Sequence, residues 1–258
     1  MEDKIYFYDG TWQGIMTVYD GLLNGRLAPD SIIREVYEGA QEDLFCDKIF
    51  IDADEEKYSA LKESFIRDCG SDNYNMIMWA FLSEKRGIES YILDFIRFAF
   101  ENGRDAGSIL SEDVVMRVYS AAQQVRRECH RFKGFVRFEE IKAGMFYSGI
   151  EPDYNIVMLL APHFKRRLSS QDWIIHDKRR NTAVFYDGAR CVYREVVSFE
   201  MPEDSKEEKE YKAMWTRYFH AMGIKERKNP GLQRQFVPVK YRKNMIEFGE
   251  AGEKGKTF

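Results

Sequence analysis

Cysteine is scarce in this chain and scattered. Cys46, Cys69, Cys129 and Cys191 lie too far apart for a C-x-x-C pair or for a three-thiolate set that could hold an iron–sulfur cluster. They read as reduced structural thiols, because a structural disulfide is not expected in a reducing compartment. Histidine is equally thin: His130, His163, His176 and His220 are too dispersed for a metal site legible from spacing. No cofactor and no metal are therefore expected. Nothing approaches the run of roughly 18 apolar residues that spans a bilayer. The opening Met1-Glu2-Asp3-Lys4-Ile5-Tyr6 lacks the basic-then-apolar order of a secretion signal, so the cytoplasm is the expected compartment and no membrane partner is expected. The zincin H-E-x-x-H, a G-x-G-x-x-G after a strand and the G-x-S-x-G elbow are missing too. The ending Gly255-Lys256-Thr257 has the look of a phosphate loop. However, five residues rather than four separate Gly249 from Gly255, so the backbone cradle cannot close.

What is present is material for a core. Hydrophobic residues make up 44% and charged residues 32%, which excludes a wholly disordered chain. The 15% of aromatic residues is rich. It suits a Phe/Tyr-heavy core, with base stacking as the sharper alternative for some of the rings.

The net charge of −4 is not that of a nucleic-acid binder, but its distribution says more. Residues 1–120 carry 24 acidic against 12 basic side chains, and residues 121–258 carry 19 against 27. The basic residues of the second half come in bunches. They are Arg126, Arg127, Arg131, Lys133 and Arg137; then Lys165, Arg166 and Arg167; then Lys178, Arg179 and Arg180; and a last group from Lys225 to Lys243 that includes Lys240. Phosphate binding needs such local fields, although a solvated basic surface would look the same.

Hydrophobic periodicity divides the chain. Residues 4–8 and 44–51 read as strands, and 12–23 and 54–68 as helices, giving an α/β unit over 1–70. Residues 71–132 read as helical, with a break at Arg86-Gly87 and a last helix from Glu112 to Phe132. From 133 to 247 the pattern becomes α+β. Strands are expected at 135–138, 145–150, 173–177, 182–186 and 191–197, with a hairpin turn at 187–190 and helices at 154–168 and around Trp215. Residues 248–258 read as a disordered tail. The fold class is thus α+β: a small N-terminal α/β unit, a helical middle and a C-terminal antiparallel sheet with helices packed on one face.

One constellation interleaves aromatic and basic residues: His130-Arg131-Phe132-Lys133-Gly134-Phe135-Val136-Arg137-Phe138. If 135–138 is a strand, its alternation makes one sheet face partly basic, a surface for phosphate and stacked base. The bland alternative puts the rings in the core and the arginines in solvent.

At this segment the chain resembles a bacterial family of unknown mechanism described as probable DNA metabolism proteins. The resemblance covers nearly the whole chain. It runs through Tyr8-Asp9-Gly10-Thr11, the 130–138 segment, Tyr147, Glu151-Pro152-Asp153, Ala161-Pro162-His163-Phe164 with Arg166-Arg167, Trp173, Tyr186-Asp187-Gly188, Asn229-Pro230 and Pro238-Val239-Lys240-Tyr241. Val239 departs from the more basic Pro-Lys-Lys or Pro-Lys-Arg associated with the family. Family members are usually encoded beside a radical-SAM protein thought to modify or repair DNA, and a related domain occurs fused to a uracil-DNA-glycosylase-like one. Neither enzyme's motifs occur here. The resemblance thus implies an accessory protein of DNA metabolism or repair, binding DNA, a radical-SAM partner, or both. The candidate DNA contacts are His130, Arg131, Lys133, Arg137, Arg166, Arg167 and Lys240. Two alternatives stay open. One is an enzyme acting on a nucleobase or nucleotide, with His130, His163 or Glu151 as acid or base and Arg137, Arg166 and Arg167 on phosphate. The other is a scaffold with no nucleic-acid contact.

Overall fold

A computed structural model describes residues 4–27, 32–35, 47–142, 144–196, 211–212, 214 and 230–248. The chain forms two compact units, Met1–Arg126 and Arg127–Phe258, and each is described by itself. The fold is α+β. Among the described residues no helix is long and apolar enough to cross a membrane.

The first unit is built on a three-stranded parallel sheet in the order β2-β1-β3, from β1 (Lys4–Tyr8), β2 (Ile32–Glu35) and β3 (Asp47–Phe50). The central strand is buried on both faces: Ile5, Tyr6, Phe7 and Tyr8 are all within the core. The turn out of β1 explains Asp9-Gly10-Thr11. Gly10 adopts φ +75, a left-handed conformation that side chains resist. Asp9 Oδ1 accepts from the Thr11 N–H (2.9 Å) and hydroxyl (2.7 Å). Thr11 Oγ1 in turn accepts from Gly14 N–H, capping α1 (Trp12–Leu23). A Cβ at Gly14 would stand 2.1 Å from Asp9 Oδ1, so the first turn of α1 takes a glycine there for want of room.

Four more helices follow: α2 (Glu55–Cys69), α3 (Ser71–Phe81), α4 (Ile88–Asn102) and α5 (Asp113–Phe135), with a 3-10 helix over Gly103–Ser108. Asp54 caps α2 through the Glu56 and Lys57 N–H groups. Gly70 and Gly87, both at positive φ, separate α2 from α3 and start α4. The expected break at Arg86-Gly87 thus falls in the right place. Apolar side chains from α1 to α5 form one core around Tyr19, Phe65, Ile77, Phe95 and Val118.

The boundary between units lies within α5, whose C-terminal turns open the second unit. A five-stranded sheet follows in the order β4-β5-β6-β7-β8, from β4 (Glu139–Lys142), β5 (Met145–Ile150), β6 (Asp172–Asp177), β7 (Thr182–Tyr186) and β8 (Cys191–Glu195). Pairing is antiparallel except between β5 and β6. Those two run parallel because α6 (Val157–Arg167) carries the chain back between them. Helix α6 lies against the sheet through Phe164, whose ring meets Trp173 of β6 at 6.4 Å. The 187–190 turn is an Asx turn: Asp187 Oδ1 accepts from the Ala189 and Arg190 N–H groups. Helix α7 (Pro230–Phe236), the short α8 (Val239–Arg242) and a 3-10 turn over Ile246–Phe248 complete the description.

The structure corrects one expectation. Residues 135–138 are not a strand: α5 continues to Phe135, the Val136 N–H donates to Phe132 O at 3.1 Å, and the sheet begins only at Glu139. The rings explain why. Phe132 and Phe135 sit three apart on a helix face and close on Tyr241 at 5.0 and 5.7 Å, a contact that a strand would break by sending them to opposite sides. The sheet face supposed to alternate Phe135 and Arg137 therefore does not exist. Strand β2 has no counterpart in the sequence reading. The helix expected around Trp215, Asn229, the basic residues 225–228 and the tail from 249 lie outside the described residues.

Candidate nucleic-acid interface

The second unit sorts its cations into two kinds. The first kind holds the fold together. Asp177, 0% exposed, accepts from the Arg179 and Arg180 N–H groups and from Arg180 Nη1 at 2.9 Å. Burial pushes the Asp177 carboxyl up, even against the guanidinium and the backbone donors. Arg180 also donates to the Pro152 and Asp153 carbonyls, clamping the Glu151-Pro152-Asp153 loop. Glu128, 4% exposed on α5, holds the same loop from the other side: it accepts from Asp153 N–H (2.9 Å), Tyr154 N–H (2.8 Å) and the Tyr241 hydroxyl. Burial and the Glu128 carboxylate both push the Tyr241 phenol up. Lys240 pairs with Asp153, and Lys243 with Glu151. Burial raises the Glu151 carboxyl, but Lys243, Asn244 and Lys178 outweigh it, leaving the group below its ordinary value. Arg137 presents its fork to the buried Glu247 at 2.6 and 3.3 Å and donates to Gly134 O at 2.7 Å.

The second kind has no carboxylate partner among the described residues: His130, Arg131, Lys133, Arg166 and Arg167. Lys133 lies in the last turn of α5, and Arg166 and Arg167 in the last turn of α6. Part of their field offsets the carbonyl ends of those helices; the remainder faces solvent.

Lys133, Arg137 and Arg167 line one cleft of about 380 Å³, together with Phe138, Phe164 and Tyr211. Phe164 is buried and Phe138 packs edge-on against it at 5.3 Å, so these rings form a wall. Tyr211, 53% exposed, is the ring with a free face. His163 stands beside the same cations. Burial lowers its pKa from the ordinary imidazole value, and Lys133, Arg167 and Arg166 lower it further, so the ring is neutral near pH 7. Its Nε2 is buried without a hydrogen-bond partner.

Of the candidate DNA contacts, the structure thus brings Lys133, Arg137 and Arg167 together, with Arg166 alongside. Arg131 precedes Lys133 by only two positions on α5 and so points to a different side of the helix. His130 is exposed on α5 outside the cleft lining, and Lys240 sits on α8 against Asp153. Glu151, with its lysine partners, and His163, among the α5 and α6 cations, share no partner among the described residues. Sequence reading missed Tyr211, Glu128, Tyr241 and Glu247. A lone tyrosine after the charge-rich 203–210 carries no periodic signal. A buried glutamate on an amphipathic helix looks like any solvated one.

Comparison with known proteins gives one family. A family model described as a domain of unknown function, DUF4130, matches residues 86–247, which takes in every residue of the cleft. No curated protein and no solved structure matches the chain.

Proposed function

The chain belongs to the DUF4130 family, whose function is unknown, and we propose that its second unit is a nucleic-acid-binding module serving DNA metabolism or repair as an accessory to a separate catalytic protein. The observation that carries this reading is the cleft itself. Lys133 and Arg167 face a common space without carboxylate partners, beside the exposed ring of Tyr211. Cations for backbone phosphate and an open aromatic face for a base form the combination that single-stranded binding uses. A stacked duplex hides its bases from such a ring, so a single strand, a loop or an unpaired base is the preferred ligand.

The size of the site sets the strength. Lys133, Arg166 and Arg167 reach at most about three phosphates, so log affinity should fall with log salt at a slope of roughly −2 for a single strand. Fluorescence anisotropy with a labelled single strand at several salt concentrations, alone and with the partner present, tests this. A flat salt response in both cases would sink the reading in favour of a scaffold without nucleic-acid contact. The resemblance to the DNA-metabolism family supports a radical-SAM protein as the catalytic partner. Copurification of the two chains checks that half separately.

A further inference from the structure

The first unit carries a second and larger cleft, of about 650 Å³, between one face of α3, one face of α5 and the 3-10 helix Gly103–Ser108. Its 3-10 wall packs closely on α3. Gly107 and Ala122 lie along the cleft, and a Cβ at Gly107 would stand 2.3 Å from Asn73 Oδ1 and 3.2 Å from Met76 Cε. Asn73, 4% exposed, donates through Nδ2 to Cys69 O (2.8 Å) and Arg104 O (3.0 Å), which fixes the 3-10 wall on the end of α2. The cleft is therefore built into the fold rather than left between loose side chains.

Its lining is mixed in a specific way. Trp79 and Tyr119 supply aromatic surface, Asn75 and Gln123 supply carboxamides, Arg104 and Arg126 supply guanidinium groups, and Asp72 adds a single carboxylate. Helical spacing delivers them as sets: Tyr119, Gln123 and Arg126 at i, i+4 and i+7 on α5, with Asn75 and Trp79 at i and i+4 on α3. Both arginines are exposed and neither has a carboxylate partner among the described residues. Arg104's guanidinium has only a long contact, 3.4 Å, to Arg67 O. Aromatic walls suit a planar heterocycle, carboxamides match the paired donors and acceptors on its edge, and guanidinium forks match a phosphate.

We propose that this cleft binds a nucleotide, with its base against Trp79 and Tyr119, its edge read by Asn75 and Gln123, and its phosphate held by Arg104 and Arg126. The nucleotide is either free or the phosphorylated end of a strand. The site is independent of the cleft in the second unit, so either can fail without the other.

The test is calorimetric titration of the full chain with AMP, GMP, CMP and TMP, with adenosine and inorganic phosphate as partial ligands. Saturable binding of at least one nucleotide is expected. Arg104→Ala and Arg126→Ala should each weaken it about tenfold, the loss of one charge-assisted hydrogen bond. Arg→Lys at either position should weaken it less, because charge is kept and the fork is lost. The losses caused by Arg104→Ala and Arg126→Ala should persist in a Lys133→Ala/Arg167→Ala background, which removes the phosphate contacts of the second unit. Because both arginines are exposed, their variants should keep the thermal midpoint of the parent, and the lysine variants provide a second reading if one does not. A 5′-phosphorylated oligonucleotide that displaces the nucleotide identifies a strand end as the source; failure to displace it identifies a free nucleotide. Three outcomes would each overturn the proposal. The first is no saturation with any of the four at ~5 mM, where a site worth roughly 3 kcal/mol is half filled. The second is unchanged binding in both arginine-to-alanine variants. The third is adenosine or phosphate alone binding as tightly as the nucleotide.

Discussion

Arg180 and Arg167 belong to neighbouring basic bunches of one unit, yet they are opposite kinds of residue. Arg180 faces a fully buried carboxylate and two backbone carbonyls; Arg167 faces an open cleft. A sequence counts both as +1. The structure shows that charge density along the chain overstates the available field, because Arg137, Arg180, Lys240 and Lys243 are matched by Glu247, Asp177, Asp153 and Glu151. Substitutions on the two sides of this division should separate stability from binding.

The largest effect belongs to the buried side. Arg180→Met leaves Asp177 charged, buried and short of its main counter-charge, and should lower stability by about 3–5 kcal/mol. The raised Asp177 pKa shows that desolvation is not fully repaid even in the intact pair. Replacing both partners with apolar residues, Asp177→Leu with Arg180→Met, should therefore recover a large part of that loss. Chemical denaturation measures both. A single variant as stable as the parent would mean that the backbone donors alone carry Asp177.

Next comes the exposed ring. Tyr211→Ala should cost about 1–3 kcal/mol in single-strand affinity and leave the thermal midpoint in place. A change in the midpoint without a change in affinity would make Tyr211 a packing residue and would shift the aromatic role to Phe138. Smaller again are the free cations. Lys133→Ala and Arg167→Ala should each reduce the salt slope by roughly 0.7 to 1, with equal loss for all sequences, because one fewer counterion is released. Arg137→Ala should instead destabilise the fold, since Glu247 loses its fork. A salt-slope change without destabilisation would move Arg137 to the binding side of the division.

How much of this was legible in the sequence follows from the range of the interactions. The helix Trp12–Leu23, the strand Thr182–Tyr186 and the Asp187 turn are written in local periodicity and turn chemistry, and all three stand where the sequence places them. Phe135 failed because alternation over four residues cannot outweigh a partner 106 positions away: its ring meets Tyr241, and that contact keeps it helical. Lys133, Arg166 and Arg167 could be read as exposed cations from their bunching. Their proximity could not, because it depends on α5 and α6 ending side by side. The pairing of Arg137 with Glu247 crosses 110 positions and leaves no local trace.

The smallest expected effect, and the most specific, concerns His163. Its folded pKa lies below the ordinary value near 6.5 because of burial first and the neighbouring Lys133, Arg167 and Arg166 second. Between the folded pKa and 6.5 the unfolded chain binds more protons, so stability rises with pH across that window, is complete above it, and is lost as pH falls through it. Stability alone does not isolate the residue, because His176 is also lowered, by burial first and Lys178 second, and acts in the same window. Binding does isolate it. A phosphate brought to Lys133 and Arg167 adds negative charge beside His163 and raises its pKa, so binding takes up a proton and must tighten as pH falls. Single-strand affinity should therefore improve by about two- to fivefold from pH 8 to pH 5.5. His163→Asn should flatten the profile while His176→Asn leaves its shape intact. If the His163 variant keeps the parent's pH profile, the phosphate does not sit among these cations, and the cleft is not where the strand binds.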